Sequence, residues 1–579
     1  MFLINGGNYT MIKKQYMLWL EKATKDPDLI KELNSIKNND DAINDAFYKN
    51  LEFGTAGLRG IIGAGTNRMN VYTVGKASQG LAEYVNSINE NAKIAIAYDS
   101  RIKSMEFAKV AAEIFAANGI KVYIYKELMP TPMLSYAVRY LKCDAGIVIT
   151  ASHNPAKYNG YKAYASDGCQ LGPDAAEYVL SIMNNIDEFK DIKSIDFDEG
   201  IKTGIIEYIG DNVINSYLDE VEKCRVSPKL DISNLKVIYT PLYGTGNKPV
   251  RNILKRIGVK DVTMVTEQES PDGNFPTVPY PNPEIRQAFE LAIDLSKTIE
   301  ADILLATDPD ADRVGIAVND NGEFKLFSGN DVGALLLNYI LERRTENGTL
   351  PENPVVVKTI VSTEICRKIA DHYSCELKDV LTGFKYIGEQ ILKLEQKGQE
   401  KRYVFGFEDS YGYLAGSYVR DKDAVVASML ICEMTAYYKS LGKTLVDVLI
   451  DLYKKFGYYY CAQKSFSCEG QSGMIKISEI MKTLRNTTPV KIHDSKVIAV
   501  NDYLTSLSTN ILEGKSEIID LPKSNVISFS LENGSTLIVR PSGTEPKIKI
   551  YVNAVGKTAD EAEKTRSAIL RDATDLLGF

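Results

Sequence analysis

Histidine is nearly missing from this 579-residue chain, which carries only His153, His372 and His493. A zinc centre of cysteine and histidine is therefore not expected, and a serine–histidine–carboxylate relay has few residues to draw on. The eight cysteines include no Cys-x-x-Cys pair. A chain this long builds its core without covalent staples, so reduced thiols in a cytoplasmic protein are the expectation. Long apolar runs are absent too. The most apolar stretch, residues 424–432, is bounded by Asp423 and Glu433 and falls short of the ~20 residues needed to span a bilayer. It reads as a buried helix, and no membrane partner is expected. Lys13, Lys14, Glu21 and Lys22 interrupt the apolar core that an export signal requires. Nor is there a dense basic run: 68 Lys and Arg stand against 76 Asp and Glu, a net charge of −8. Nucleic acid is thereby disfavoured as a partner, while a small anionic substrate can still be held by a few local cations.

What is present is ordinary globular material, 44% hydrophobic and 25% charged, in a chain too long for one core. Three times an apolar, β-rich run ends in a polar or glycine-containing turn and passes into a helical pattern, at residues 93–101, 235–245 and 354–363. Each is followed by a second strand that runs into an unusual loop: GIVITASHNP from Gly146, ILLATDPDADR from Ile303 and YVFGFEDSYGY from Tyr403. The alternation predicts α/β units, and the recurrence predicts a threefold internal repeat. Ligands of α/β sheets collect beyond the carboxyl ends of strands, so three such loops can serve one site. The last part, with LIVR from Leu537, the turn PSGTEP and the alternating strand KIKIYV before a C-terminal helix, reads as an α+β unit. The expected domains are residues 1–205, 206–325, 326–455 and 456–579.

Asp308, Asp310 and Asp312 alternate along the second of these loops, so a turn brings three carboxylates toward one point. Crowded carboxylates repel unless a cation compensates. An EF-hand wants Gly at its sixth position and Glu at its twelfth; counting from Asp308 gives Arg313 and Asn319. Hard oxygen ligands without that signature suit Mg²⁺, which usually keeps positions for water or phosphate oxygen. A solvated acidic turn is the competing reading.

Thr150-Ala151-Ser152-His153-Asn154-Pro155 puts a hydroxyl nucleophile on a loop after the apolar run 145–149. It is not a Gly-x-Ser-x-Gly elbow, and His153, next in the chain, is expected to point elsewhere. Ser152 can instead carry a phosphoryl group whose oxygen completes the coordination of a metal held by the aspartates. A Ser/Asn turn satisfying only its own backbone remains the simpler alternative.

With TASHNP, DPDADR, GFEDSYG and RPSGTEP in that order, the chain resembles the α-D-phosphohexomutase family, and LEFGTAGLRG with the overall length is similar to its long bacterial phosphoglucomutase and phosphopentomutase group. The resemblance spans almost the whole chain. It implies three related α/β domains with mixed sheets and a C-terminal α+β domain around a central cleft. It further implies that Ser152 is the phosphoserine, that Ser152, Asp308, Asp310 and Asp312 hold Mg²⁺, and that Arg59, His153 and Lys162 act near the transferred phosphoryl group. Arg313, Lys385, Glu408, Ser410 and Lys422 are implied to bind substrate, and Arg540, Ser542, Gly543 and Thr544 to grip its distal phosphate. An Arg fork with hydroxyl and backbone donors suits that task.

Many bacterial phosphomannomutase/phosphoglucomutase members carry a histidine after Glu-x-Ser-Gly; here the loop reads Glu408-Asp409-Ser410-Tyr411-Gly412-Tyr413. That is more similar to the loop of glucose-type members, as is Arg420-Asp421-Lys422-Asp423. The implied reaction interconverts glucose 1-phosphate and glucose 6-phosphate, with glucose 1,6-bisphosphate as intermediate and activator. Pentose and mannose phosphates are the alternatives within the family, a metal-dependent sugar phosphatase the alternative outside it. The expected state is a monomer or weak homodimer.

Overall fold

The computed structural model describes residues 6–54, 57–468, 470–542 and 547–579. It falls into two compact units: the first comprises the described residues of 1–326, 391–400 and 412–436, the second those of 327–390, 401–411 and 437–579.

In the first unit, six strands lie in the order β1-β5-β4-β2-β3-β6, with β1 Leu58–Ile61, β2 Lys93–Tyr98, β3 Lys121–Tyr125, β4 Ala145–Ile149, β5 Tyr158–Ala165 and β6 Ile206–Ile209. The strand β2 pairs in parallel with β3 and β4, whereas β5 runs antiparallel to β4 and β1. Every residue of β4 is buried, as expected of a strand covered by helices on both faces. Ahead of this sheet, helix Gly6–Lys22 packs against helices Pro27–Ser35 and Asp40–Phe47, and their apolar residues join the core of the sheet, with Trp19 fully buried edge-on to Phe47 and Tyr72.

The same unit carries a second sheet, ordered β11-β10-β9-β7-β8 from β7 Lys236–Thr240, β8 Asp261–Met264, β9 Ile303–Thr307, β10 Val314–Asp320 and β11 Glu323–Leu326. Its pairing repeats that of the first: β7 is parallel to β8 and β9, and β9 turns back into antiparallel β10. In the second unit β12 Val355–Thr359 is again parallel to both β13 Glu376–Val380 and β14 Tyr403–Glu408. The threefold repeat expected from the sequence is thus a repeat of strand pairing, each instance sending a buried strand into one of the unusual loops.

The first unit also contains the strand β15, Gly412–Ala415, and most of the buried helix Ala424–Ser440 that contains the 424–432 run. The C-terminal part differs in kind. The strands β16 Tyr458–Ser467, β17 Lys491–Ile492, β18 Ser495–Asp502, β19 Leu507–Asn510, β20 Lys515–Ile518, β21 Ile527–Leu531, β22 Thr536–Pro541 and β23 Lys547–Gly556 form an antiparallel sheet. The helix Ala559–Leu576 packs against it through Ala562, Ile569 and Ala573. This is the α+β unit predicted for the end of the chain. No described helix is long and apolar enough to cross a membrane.

Candidate active site

Two hairpins bring the first unit's chemistry together. The strand β4 ends at Ile149, and the chain then turns through Ser152 in the left-handed region, φ 51°. Returning along β5, Gly160 lies so close to its neighbours that a Cβ there would sit 2.5 Å from Thr150 O and 2.8 Å from Leu58 O. Glycine therefore lets three strands close up, in a register that sets Arg59 beside Gly160 and Val148 beside Lys162. Between β9 and β10, paired at Thr307 and Val314, residues 308–313 form a tight loop with Ala311 at φ 47°. Gly244 packs under that loop, where a Cβ would lie 2.5 Å from Pro309 Cα, and Thr245 N donates to Pro309 O at 2.8 Å.

These loops meet at Ser152, whose Oγ donates to Asp308 Oδ2 at 2.7 Å. Asp308 Oδ1 accepts from the Asp312 and Arg313 amides at 3.2 and 3.1 Å. Asp310 Oδ2 accepts from Thr131 Oγ1 at 2.9 Å and from Lys162 Nζ at 2.8 Å. Asp312 Oδ2 pairs with Lys422 Nζ at 2.9 Å and Lys162 Nζ at 3.4 Å. Arg313 pairs with Glu284 at 2.7 Å. Arg59, exposed on β1, reaches Asn154 Oδ1 at 3.5 Å. His153 departs from expectation. Its Nδ1 lies 3.2 Å from Ser152 Oγ, because the left-handed turn at Ser152 folds two consecutive side chains toward one another.

The three aspartates are at most 1% exposed. Burial, reinforced by the charges of Asp310 and Asp312, pushes Asp308 well above the usual carboxylate range. Burial acts in the same direction on Asp310, yet the Lys162 ammonium outweighs it and holds that carboxyl low. Burial and the Arg313 and Arg59 charges keep the His153 imidazole neutral, well below its ordinary value. One oxygen of Asp310 and one of Asp312, both Oδ1, are buried without a hydrogen-bond partner, and the three carboxylates offer ligand atoms within 4.8 Å of one another. Converging hard donors with unsatisfied lone pairs fit a divalent cation that prefers oxygen.

Lys385, Glu408, Ser410, Arg540 and Ser542 belong to the second unit. Glu408 closes β14 and is buried. The loop behind it is shaped by Gly329, where a Cβ would stand 2.0 Å from Asp409 O, and by Tyr411, at φ 64° with its hydroxyl on Phe327 O at 3.1 Å. Lys385 is half-buried near the start of helix Phe384–Glu395, and burial lowers its ammonium. Arg540 donates to the Tyr551 hydroxyl at 3.4 Å. Burial pushes that hydroxyl up to about 12, Asp409 adding to the rise and Arg540 opposing it. Ser542 N donates to Lys547 O at 2.8 Å. Gly543 and Thr544 lie outside the described residues.

Residue-by-residue reading of the sequence left out Arg101, Thr131, Glu284 and, as a functional group, Asp421. Thr131 and Glu284 touch the acidic loop through hydrogen bonds, and Asp421 accepts from Tyr164 at 2.7 Å beside Lys422. Arg101 had a visible signal: it is a charged residue closing the apolar run 93–101 at the carboxyl end of β2.

Four consecutive matches decide the family. Residues 50–190, 215–322 and 328–456 match the phosphoglucomutase/phosphomannomutase alpha/beta/alpha domains I, II and III, and residues 490–571 match the C-terminal domain. The chain belongs to the phosphoglucomutase/phosphomannomutase family. The phosphoglucomutase of Staphylococcus haemolyticus (strain JCSC1435) is 40% identical over 508 residues, 88% of this chain and 91% of that protein. The phosphoglucomutase of Staphylococcus aureus (strain MRSA252) is 39% identical over 556 residues, 96% and 98% of the two chains. Among solved structures, the Paramecium phosphoglucomutase pp63/parafusin in its open form superposes with a TM-score of 0.68 at 17% identity, over 91% of this chain and 95% of that one. As a phosphohexomutase the chain is an intramolecular phosphotransferase, with the four-domain α/β architecture of its family.

Proposed function

We propose that this phosphohexomutase interconverts α-D-glucose 1-phosphate and glucose 6-phosphate through a phosphorylated Ser152 and a glucose 1,6-bisphosphate intermediate. The observation that carries the proposal is the contact of Ser152 Oγ with Asp308, in a loop whose other two aspartates each keep a buried oxygen without a hydrogen bond. A hydroxyl aimed into a hard-cation site is what a phosphoryl carrier requires and what a structural turn does not.

In the forward half-reaction the P–O bond to Ser152 breaks as a P–O bond to the free sugar hydroxyl forms. The sugar hydroxyl gives up a proton and Ser152 Oγ regains one. His153 Nδ1, neutral and 3.2 Å from Oγ, can hold a proton there. Lys162 and Arg59 neutralise charge on the transferring oxygens, where phosphoryl transfer is chiefly a matter of positioning and electrostatics. Asp308, Asp310 and Asp312 would hold Mg²⁺, which supplies Lewis-acid stabilisation of phosphoryl oxygen when bound. Glu408 and Ser410 are proposed to read sugar hydroxyls, with Lys385, Arg313 and Lys422 as further substrate contacts. Arg540 and Ser542, with Gly543 and Thr544, would grip the phosphate that is not being transferred. The bisphosphate then reorients and returns its other phosphate to Ser152. Domain limits near residues 205, 325 and 455, a cytoplasmic location and a monomeric or weakly dimeric state complete the proposal.

The test is turnover of glucose 1-phosphate with Mg²⁺ and a trace of glucose 1,6-bisphosphate, following glucose 6-phosphate and free phosphate, with ribose 1-phosphate and mannose 1-phosphate alongside. Bisphosphate-dependent glucose 6-phosphate formation supports the reading. Faster pentose or mannose turnover keeps the mechanism and changes the substrate, and free phosphate as sole product sinks it.

A further inference from the structure

The loop that carries Ser152 is held by a residue outside the motif. Arg101 is 3% exposed and spends its guanidinium almost wholly on main-chain carbonyls of that loop. Its Nη2 donates to Ser152 O and Asn154 O. Its Nη1 donates to Pro155 O at 3.0 Å and Tyr158 O at 3.1 Å. On the other side Nε faces Asp99 Oδ2 at 3.3 Å, both side chains fully buried. Asp99 is itself fixed by the Arg101 amide at 2.9 Å and by Ser104 Oγ at 2.7 Å.

This grip answers a specific need. Ser152, Asn154 and Pro155 lie between β4 and β5, off the ladder, and Tyr158 is where β5 begins; of these four only Pro155 O has a local backbone donor, Tyr158 N at 3.0 Å, and buried carbonyls must find donors. A planar fork with five N–H groups reaches several at once, which a lysine ammonium does not. Ser152 moreover sits at φ 51°, a conformation that a non-glycine residue keeps only when its surroundings impose it. With the Ser152 carbonyl drawn to the guanidinium, its Oγ is left directed at Asp308.

The guanidinium is braced in turn by the part of the unit that supplies the acidic loop. The Phe275 ring lies under Arg101, 5.0 Å from centroid to Cζ. Gly273 packs so closely on the 100–102 turn that a Cβ would meet Ile102 N at 2.4 Å and Ser100 O at 2.9 Å. One segment thus fixes Arg101, and Arg101 fixes the Ser152 loop against aspartates of that same part of the chain.

We infer that Arg101 is a positioning residue for phosphoryl transfer, holding the Ser152 loop in its strained, transfer-ready conformation with Phe275 as its brace. The inference rests on the mutase reading for its kinetic consequence, while the loop's order can be measured independently of any substrate. Arg101→Lys keeps a charge opposite Asp99 and removes the fork, and Phe275→Leu keeps the core filled and removes the stacking face. Each variant is compared with the wild type by amide hydrogen exchange over residues 150–158, by thermal midpoint and by steady-state kinetics with glucose 1,6-bisphosphate present.

For Arg101→Lys we expect faster exchange confined to 150–158, a kcat lowered about a hundredfold, as angstrom-scale misplacement of a reacting group brings, and an unchanged KM. Phe275→Leu should lie between it and the wild type. Unchanged exchange at 150–158 in a folded Arg101→Lys protein overturns the inference. So does a loss of activity that only tracks the folded fraction. A wild type with no bisphosphate-dependent turnover sinks the mutase reading alone, and the exchange data still decide what Arg101 does.

Discussion

Ser152 Oγ and Asp308 Oδ2 are 2.7 Å apart, although 156 positions separate them in the chain. The hydrogen bond joins two of the three loops that the repeated α/β pattern places after a buried strand, and it couples the Ser152 hydroxyl to the acidic loop in one buried cluster.

Replacing Ser152 with Ala removes the only atom on that residue able to carry phosphate. The expected outcome is a folded protein whose kcat has fallen by about four orders of magnitude or more, as for loss of a nucleophile elsewhere. Incubation with labelled glucose 1,6-bisphosphate should leave it unlabelled. Label retained by the variant would move the phosphoryl carrier to another residue.

Asp312→Asn tests the acidic site without touching the nucleophile. For the wild type, Mg²⁺ at about one hundred times its dissociation constant should stabilise the fold by about 2.7 kcal/mol, seen as a higher thermal midpoint. The variant loses one of the proposed ligand oxygens and leaves Lys162 and Lys422 facing a neutral amide. Its midpoint should no longer respond to Mg²⁺, and chelator should no longer lower it. An undiminished response would remove Asp312 from the ligand set.

Glu395 gives a pH dependence with a definite sign. Hydrogen bonds and charge from Arg139 at 2.7 Å and Arg420 at 2.6 Å hold its carboxyl down to about 2, from 4.5 when unfolded. Between those values the unfolded chain binds the extra proton, so this pair of contacts stabilises fully above about 4.5 and is lost as the pH falls toward 2. Urea midpoints measured across that window should drop more steeply for the wild type than for Glu395→Gln, and equal slopes would refute the assignment.

Gly329→Ala should act on the loop that follows Glu408. A methyl group 2.0 Å from Asp409 O forces backbone to move, at a cost of about 1–3 kcal/mol. On the proposed role of Glu408 and Ser410 as readers of the sugar, KM should rise while labelling of Ser152 by bisphosphate persists. Unchanged KM in a stable variant would separate this loop from substrate.

The loops after β4, β9 and β14 were legible because they are local: a largely apolar strand that ends in Glu or runs into Ser or Asp at a turn is a pattern within a dozen residues. The α/β class and the antiparallel end of the chain were legible for the same reason, since burial on two faces produces continuous apolar runs and burial on one face produces the alternation of KIKIYV. That the His153 ring turns back toward Ser152 was not legible, because no residue type announces φ 51° at a serine. Arg101, Thr131 and Glu284 were not legible as site residues because the partners that matter lie 51 to 57, 179 and 29 positions away.

By itself, then, the amino-acid sequence determined the repeated strand-and-loop units and the placing of Ser152 and the three aspartates on two of their loops, all set by short-range spacing and by the hydrophobic period. Only the tertiary structure decided which charges meet them. The pairing of Lys162 and Lys422 with Asp312, the neutral imidazole beside Ser152 and the arginine clamped on its loop arise from packing of distant segments, where desolvation makes each charge depend on its few nearest neighbours.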